Sequence, residues 1–142
     1  MEINNKRIIG RLESIDLPDF GLNGITAKID TGAYNGAIHT TNVEEKEIDG
    51  KNIIEFSLLD EDHPEFNDDI FQIDDFEKRL VKNSIGESEL RYVVSTKVIL
   101  KGEEIKVSLG LSNRKNLKYP VLLGRKVIKK HFIVDVSKKF TK

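Results

Sequence analysis

Ile25-Thr26-Ala27-Lys28-Ile29-Asp30-Thr31-Gly32-Ala33 is an apolar run that stops at an aspartate in a loop of small residues. A short Ile-rich run bounded by turn residues is the pattern of a β-strand rather than of a helix. Gly32 permits unusual backbone angles and the close approach of a second backbone. Thr31 offers a hydroxyl that can lock such an approach, and Ala33 keeps the loop compact. Asp30 is therefore expected to be held rigidly yet exposed. Taken alone the Asp-Thr-Gly tripeptide is a weak signal, since Asp and Gly serve plain turns equally well.

Outward from this loop the same strand pattern recurs. Ile105-Lys106-Val107-Ser108-Leu109-Gly110-Leu111 alternates with period two, residues 91–100 are rich in β-formers, and Lys101-Gly102-Glu103 between them reads as a hairpin turn. Asp49-Gly50 joins residues 43–48 to residues 53–59, and Asn23-Gly24 carries the same turn chemistry just ahead of residues 25–29. Only residues 125–132 resemble a helix, with Val127, Ile128 and His131 or Phe132 on one side and Lys126, Lys129 and Lys130 exposed. The expectation is an all-β fold with one short C-terminal helix, formed by residues 1–142 as a single domain.

The 142 residues suffice to bury roughly two thirds of the unfolded surface without staples. A hydrophobic content of 38%, a charged content of 33% and a net charge of -1 fit a soluble globular chain with no general affinity for nucleic acid. The absence of cysteine excludes disulfides and thiolate zinc sites. Met1-Glu2-Ile3-Asn4-Asn5-Lys6-Arg7 lacks the apolar core of a signal peptide, and no run approaches the about 18 apolar residues of a membrane span. A cytoplasmic protein without membrane contact is the expectation. Charge is nevertheless uneven. Half of residues 60–77 are acidic, with Phe66, Ile70, Phe71, Ile73 and Phe76 interspersed, which reads as an inserted solvated loop packed by a few aromatics. Arg114, Lys115, Lys118, Arg125, Lys126, Lys129 and Lys130 fall in a stretch without acids, a patch suited to acidic substrates or simply a solvated face.

Near the C-terminus, Pro120-Val121-Leu122-Leu123-Gly124-Arg125 is an apolar strand that ends in Gly-Arg before the candidate helix. An early Asp-Thr-Gly-Ala, a Gly-bearing hairpin midway and this late Gly-Arg occur in the order found in retropepsins. More closely, the chain resembles the bacterial and archaeal family labelled ATP-dependent zinc proteases. Three segments carry the likeness: residues 27–33 with His39 downstream, Ser84-Ile85-Gly86 with Glu89 and Arg91, and Asn113-Arg114 followed by Tyr119-Pro120 and the Gly-Arg strand. The resemblance implies a retropepsin-like closed β-barrel in which Asp30 is the catalytic aspartate and Thr31, Gly32 and Ala33 form its loop. It implies that Gly124 and Arg125 brace that loop from behind, and that Asn83, Ser84, Ile85 and Gly86 form the tip of a flap. The chain departs from the family at Tyr34-Asn35-Gly36, where a basic residue followed by Thr-Ser is usual. Retropepsins often place an acid at the position of Tyr34 to pair with the arginine, so Arg125 is expected to find another partner.

No cofactor or metal is expected. His39, His63 and His131 are scattered, no His-Glu-x-x-His motif occurs, and His39 reads as a hydrogen-bonded histidine near the loop rather than a ligand. An aspartic site that hydrolyses peptides needs two carboxylates sharing one proton. The chain contains one Asp-Thr-Gly, so the pair is expected to come from Asp30 of two copies across a two-fold axis, making the protein its own partner. The resemblance also implies a link to ATP-grasp glutamate ligases that add glutamate tails to ribosomal protein, and hence an acidic peptide as substrate. Two other classes compete: a dimeric module that binds an acidic partner without turnover, and a metal-dependent hydrolase using Asp30 and His39.

Overall fold

The computed structural model describes residues 5–82, 85–114 and 118–142. In chain order the strands are β1 (Arg7–Ile9), β2 (Leu12–Leu17), β3 (Leu22–Ile29), β4 (Gly36–Ile48), β5 (Lys51–Leu58) and β6 (Phe71–Ile73). There follow β7 (Phe76–Lys82), β8 (Ser88–Leu100), β9 (Glu103–Ser112), β10 (Val121–Leu123), the helix α1 (Arg125–Ile128) and β11 (Phe132–Val134). The chain is mostly β, as its alternating Ile and Val pattern requires.

The strands pair in the order β10-β3-β2-β8-β9-β4, and β10 pairs again with β4, so these pairings run in a ring. β10 lies parallel to β3 and antiparallel to β4, which makes this three-residue strand the closing piece. β5 and β6 extend outward from β4, and β7 is added to β8. Inward-facing Ile15, Leu17, Ile25, Ile38, Val98, Leu109, Val121 and Leu123 are all essentially inaccessible to solvent and make one core. At roughly 1.5–3 kcal/mol for each large apolar side chain removed from water, this face is the main driving force of the fold.

Two turns form as their sequences dictate. Asp49 and Gly50 take φ of 52° and 80°, and Lys101 and Gly102 take 54° and 80°, the paired left-handed angles that match the twist of a two-residue hairpin. Asn23-Gly24 does not make a hairpin. Ile15 faces Ile25 while Leu17 faces Leu22, so β3 carries one residue more than β2 over this span. Gly24, at φ 67°, absorbs the extra residue as a bulge, and its N–H donates to Asp16 Oδ1 at 2.9 Å. The bulge keeps both Leu22 and Ile25 on the buried face, while the reversal itself is made by the 3-10 turn Pro18–Phe20 closed by Gly21.

The helix is shorter than residues 125–132. It ends at Ile128 because Phe132, Ile133 and Val134 pair in parallel with Arg7, Ile8 and Ile9. The acidic segment is more than an inserted loop: Phe71 enters β6 against β5 and packs edge-on to Phe20, with ring centroids 5.0 Å apart. The segment's aromatics therefore pack against the core, and most of its acids stay in water, Asp60 being partly buried.

Candidate active site

Asp30 stands where β3 leaves its parallel partner β10. Its N–H donates to the Leu123 carbonyl at 2.8 Å, and its own carbonyl accepts the Ala33 N–H at 3.3 Å, so the loop turns tightly on a strand end. The Gly32 N–H donates to Asp30 Oδ1 at 2.9 Å, fixing the carboxylate's orientation. Thr31 and Gly32 are exposed, and Asp30 is half-buried. Gly32 does not take a left-handed φ; a Cβ there would lie 3.2 Å from Asp30 Oδ1. The glycine thus serves close approach to the carboxylate, not unusual backbone angles.

Gly124 and Arg125 lie directly behind this loop. A Cβ on Gly124 would come within 2.6 Å of the Asn35 and Tyr34 carbonyl oxygens and 2.7 Å of that of Ala33. The Arg125 N–H donates to the Ala33 carbonyl at 2.8 Å, the Lys126 N–H to that of Tyr34 at 3.0 Å, and Arg125 Nη1 to that of Thr31 at 2.9 Å. The Tyr34 side chain is also engaged. Its ring lies 5.8 Å from the Arg125 guanidinium carbon and 5.5 Å from Lys129 Nζ, within cation–π range. Arg125 therefore has as partners a backbone carbonyl and an aromatic face.

β7 and β8 form a hairpin paired from Phe76↔Val94 to Lys82↔Ser88. Near its tip Ile85 is 75% exposed and Gly86 takes φ 85°; Asn83 and Ser84 lie outside the described residues. One face of the hairpin presents Arg79, Val81, Arg91 and Val93 to a cleft of about 260 Å³, which is bounded by the loop residues Ala33, Asn35 and Gly36 and by Arg114. Arg79 and Arg91 are direct cross-strand partners, an arrangement of like charges that weakens a hairpin. Glu77 and Glu89 moderate it, at 2.6 Å and 2.8 Å from their respective arginines. The stem of Arg91 lies over Gly110, where a Cβ would meet Arg91 Cδ at 2.9 Å, and Arg91 Nε is buried without a hydrogen-bond partner among the described residues. Burial pushes the Arg114 guanidinium below its ordinary range; the charge of Arg91 adds to this, and the Asp30 carboxylate opposes it. Arg114 thus lies in the fields of both.

Among the described residues the basic stretch divides, and Lys115 lies outside them. Arg114 faces the cleft, Arg125 and Lys129 flank Tyr34, and Lys126 borders a separate groove with Asp19 and Thr96. Arg79 escapes a reading based on charge runs. It could have been found by counting back from the hairpin tip, because 79 and 91 are equidistant from it.

His39 is buried, with Nε2 2.6 Å from Asp60 Oδ2 and Nδ1 accepting the Arg114 N–H at 2.8 Å. Both ring nitrogens are occupied, so His39 is not available as a ligand. His63 Nδ1 accepts the Glu65 N–H, and His131 lies beside Glu103. Among the described residues no three His, Cys, Asp or Glu side chains gather to hold a metal ion. The donor set therefore does not fit the zinc that the family label implies. No helix among the described residues is long and apolar enough to cross a membrane.

Comparison with known proteins bears on the fold and the family. The crystal structure of a Legionella pneumophila protein of unknown function (DUF785) superposes with a TM-score of 0.73 at 30% identity, over 95% of this chain and 97% of that one. A protein of Shewanella pealeana named "Probable alpha-L-glutamate ligase" is 35% identical over 96% of the chain, and one of the same name from Desulfotalea psychrophila is 34% identical over 92%. The chain spans only 30% and 28% of those two relatives. A family model described as "Retropepsin-like aspartic endopeptidase RimB" matches residues 8–142, and the chain belongs to this RimB-like, retropepsin-like family.

Proposed function

We propose that the chain is an aspartic peptidase built on a retropepsin-like closed barrel, working in the cytoplasm as a homodimer with Asp30 contributed by each subunit. The observation that carries this reading is the Asp30 loop, in which the Gly32 N–H orients the carboxylate while Ala33, Asn35 and Gly36 line a cleft that also holds Arg79, Arg91 and Arg114. In a two-fold pair one Asp30 carboxylate takes a proton from water as it attacks the peptide carbonyl. The other, protonated, donates to the carbonyl oxygen. Collapse of the resulting tetrahedral diol passes a proton to the leaving amine and regenerates the shared proton. The β7–β8 hairpin acts as a flap that covers an extended peptide and excludes water.

Arg79, Arg91 and Arg114 favour an acidic peptide, and guanidinium groups suit carboxylates in geometry as well as charge. That relatives named as glutamate ligases contain a segment like this chain supports a substrate made by glutamate ligation, such as a glutamate tail. A binding module without turnover would use the same cleft.

Incubation with a glutamate-tailed peptide, read by mass spectrometry, separates the readings. Cleavage by the wild type, insensitive to chelator and abolished in Asp30→Asn while peptide binding persists, is the expected result. Binding without cleavage by the wild type selects the module. Chelator-sensitive cleavage that survives Asp30→Asn selects a metal hydrolase.

A further inference from the structure

We infer that His39 is a positioning residue that holds Arg114 at the cleft. This rests on the cleft being the site for an acidic peptide, but not on peptide hydrolysis. The His39 side chain is 5% exposed, and its bonding fixes one tautomer: Nε2 carries the proton toward Asp60, and Nδ1 must be bare to accept the Arg114 N–H. Through its backbone the same residue grips the far end of the segment, since the His39 N–H donates to the Pro120 carbonyl at 2.8 Å. Its carbonyl accepts the Leu59 N–H at 2.9 Å, next to Asp60. One histidine thereby clamps residues 114 and 120 to β4, the strand that follows the Asp30 loop. Within the clamped segment Arg114 Nε donates to the Tyr119 carbonyl at 3.2 Å, which anchors the guanidinium at its inner end while Arg114 lines the cleft. A buried imidazole using both nitrogens on partners 21 and 75 residues away is a specific bracket for that arginine.

Asparagine and glutamine divide the two functions of the ring. Asn presents an oxygen near the place of Nδ1 and can accept the Arg114 N–H, whereas Gln reaches Asp60 but offers nothing at that place. The test measures binding of a hexaglutamate peptide to Asp30→Asn, Asp30→Asn/His39→Asn and Asp30→Asn/His39→Gln protein, with a hexaglutamine peptide as control and thermal midpoints in parallel. We expect about tenfold weaker hexaglutamate binding for His39→Gln, the scale of one charged contact, near-parent binding for His39→Asn, and unchanged response to the control. Equal weakening in both variants, or none in His39→Gln, overturns the inference. Long-range proton–nitrogen correlation spectra of the wild type give a second readout independent of folding of the variants: protonated Nδ1 on His39 overturns the inference, and bare Nδ1 supports it. If the wild type cleaves nothing, the peptidase reading falls while these binding and tautomer results still decide the role of His39.

Discussion

The guanidinium of Arg125 donates to the carbonyl of Thr31 at 2.9 Å across 94 residues of chain. That contact ties the start of α1 to the loop that presents Asp30. It stands alongside the Arg125 and Lys126 backbone bonds to Ala33 and Tyr34, so three links from two residues cross from the helix to the loop. The Tyr34 ring lies beside the same guanidinium, where a carboxylate would have made an ion pair.

Arg125→Lys retains a cation but loses the planar fork that reaches Thr31 and covers Tyr34. Its expected cost is about 1 kcal/mol of unfolding free energy. A larger relative loss of cleavage should follow, because the loop is loosened exactly where Asp30 turns. Denaturant unfolding and kcat measured on the same protein check it; unchanged values for both would remove the bracing role.

Gly124→Ala introduces a methyl group 2.6–2.7 Å from three carbonyl oxygens of the loop. Backbone cannot yield as a flexible side chain does, so the loop or α1 must shift, at about 1–3 kcal/mol. The fall should appear in the thermal midpoint, with chemical-shift changes concentrated at residues 30–36.

Arg91→Gln separates binding from stability. It removes the like-charge pairing with Arg79, worth about 0.2–1 kcal/mol against the hairpin, but also the contact to Glu89. Folding stability should therefore change little, while affinity for a glutamate peptide drops and becomes less salt-dependent. Affinity measured at two ionic strengths decides it.

The root of the β7–β8 hairpin should loosen in acid. Lys78 Nζ lies 2.7 Å from Glu45 Oε1, and the Tyr92 hydroxyl donates to the same oxygen at 3.1 Å. The bond from Lys78, aided by that from Tyr92, holds the Glu45 carboxyl below its usual range. The unfolded chain then binds the proton more tightly than the folded one. The stabilisation is present above the ordinary carboxylate value of about 4.3 and is lost as pH falls through the lower folded value. Protection of β7 amides, taken relative to their intrinsic exchange rate at each pH, should fall across that range in the wild type, and Glu45→Gln should show the lower protection already at neutral pH.

Much of the fold was legible because its turns are local. Asp49-Gly50 and Lys101-Gly102 occupy left-handed angles that few other residue pairs adopt, and the strands around them alternate with a clear period. Asn23-Gly24 misled because a left-handed glycine indicates a backbone angle, not whether a bulge or a turn contains it. The length of α1 was hidden because Phe132 has helical spacing, and its pairing with Arg7 depends on the other end of the chain. At the candidate site the Asp30 loop and the Gly-Arg segment could be picked out by order. With Tyr34 and not an acid beside the loop, the partner of Arg125 was undetermined, since carbonyl acceptors leave no trace in side-chain identity. The His39 bonds to Asp60 and Arg114 and the convergence of Arg79, Arg91 and Arg114 arise only from the tertiary fold.

Mixing wild-type and variant chains tests most directly the proposed site formed by two copies of Asp30. Wild-type and Asp30→Asn chains are co-refolded in equal amounts, and cleavage of a glutamate-tailed peptide is compared with that of wild type alone at the same total concentration. Random pairing leaves about one quarter of dimers with two native aspartates, so activity is predicted to fall to about one quarter. A value of one half, proportional to the wild-type fraction, would show that each chain carries a complete site and would contradict the shared pair.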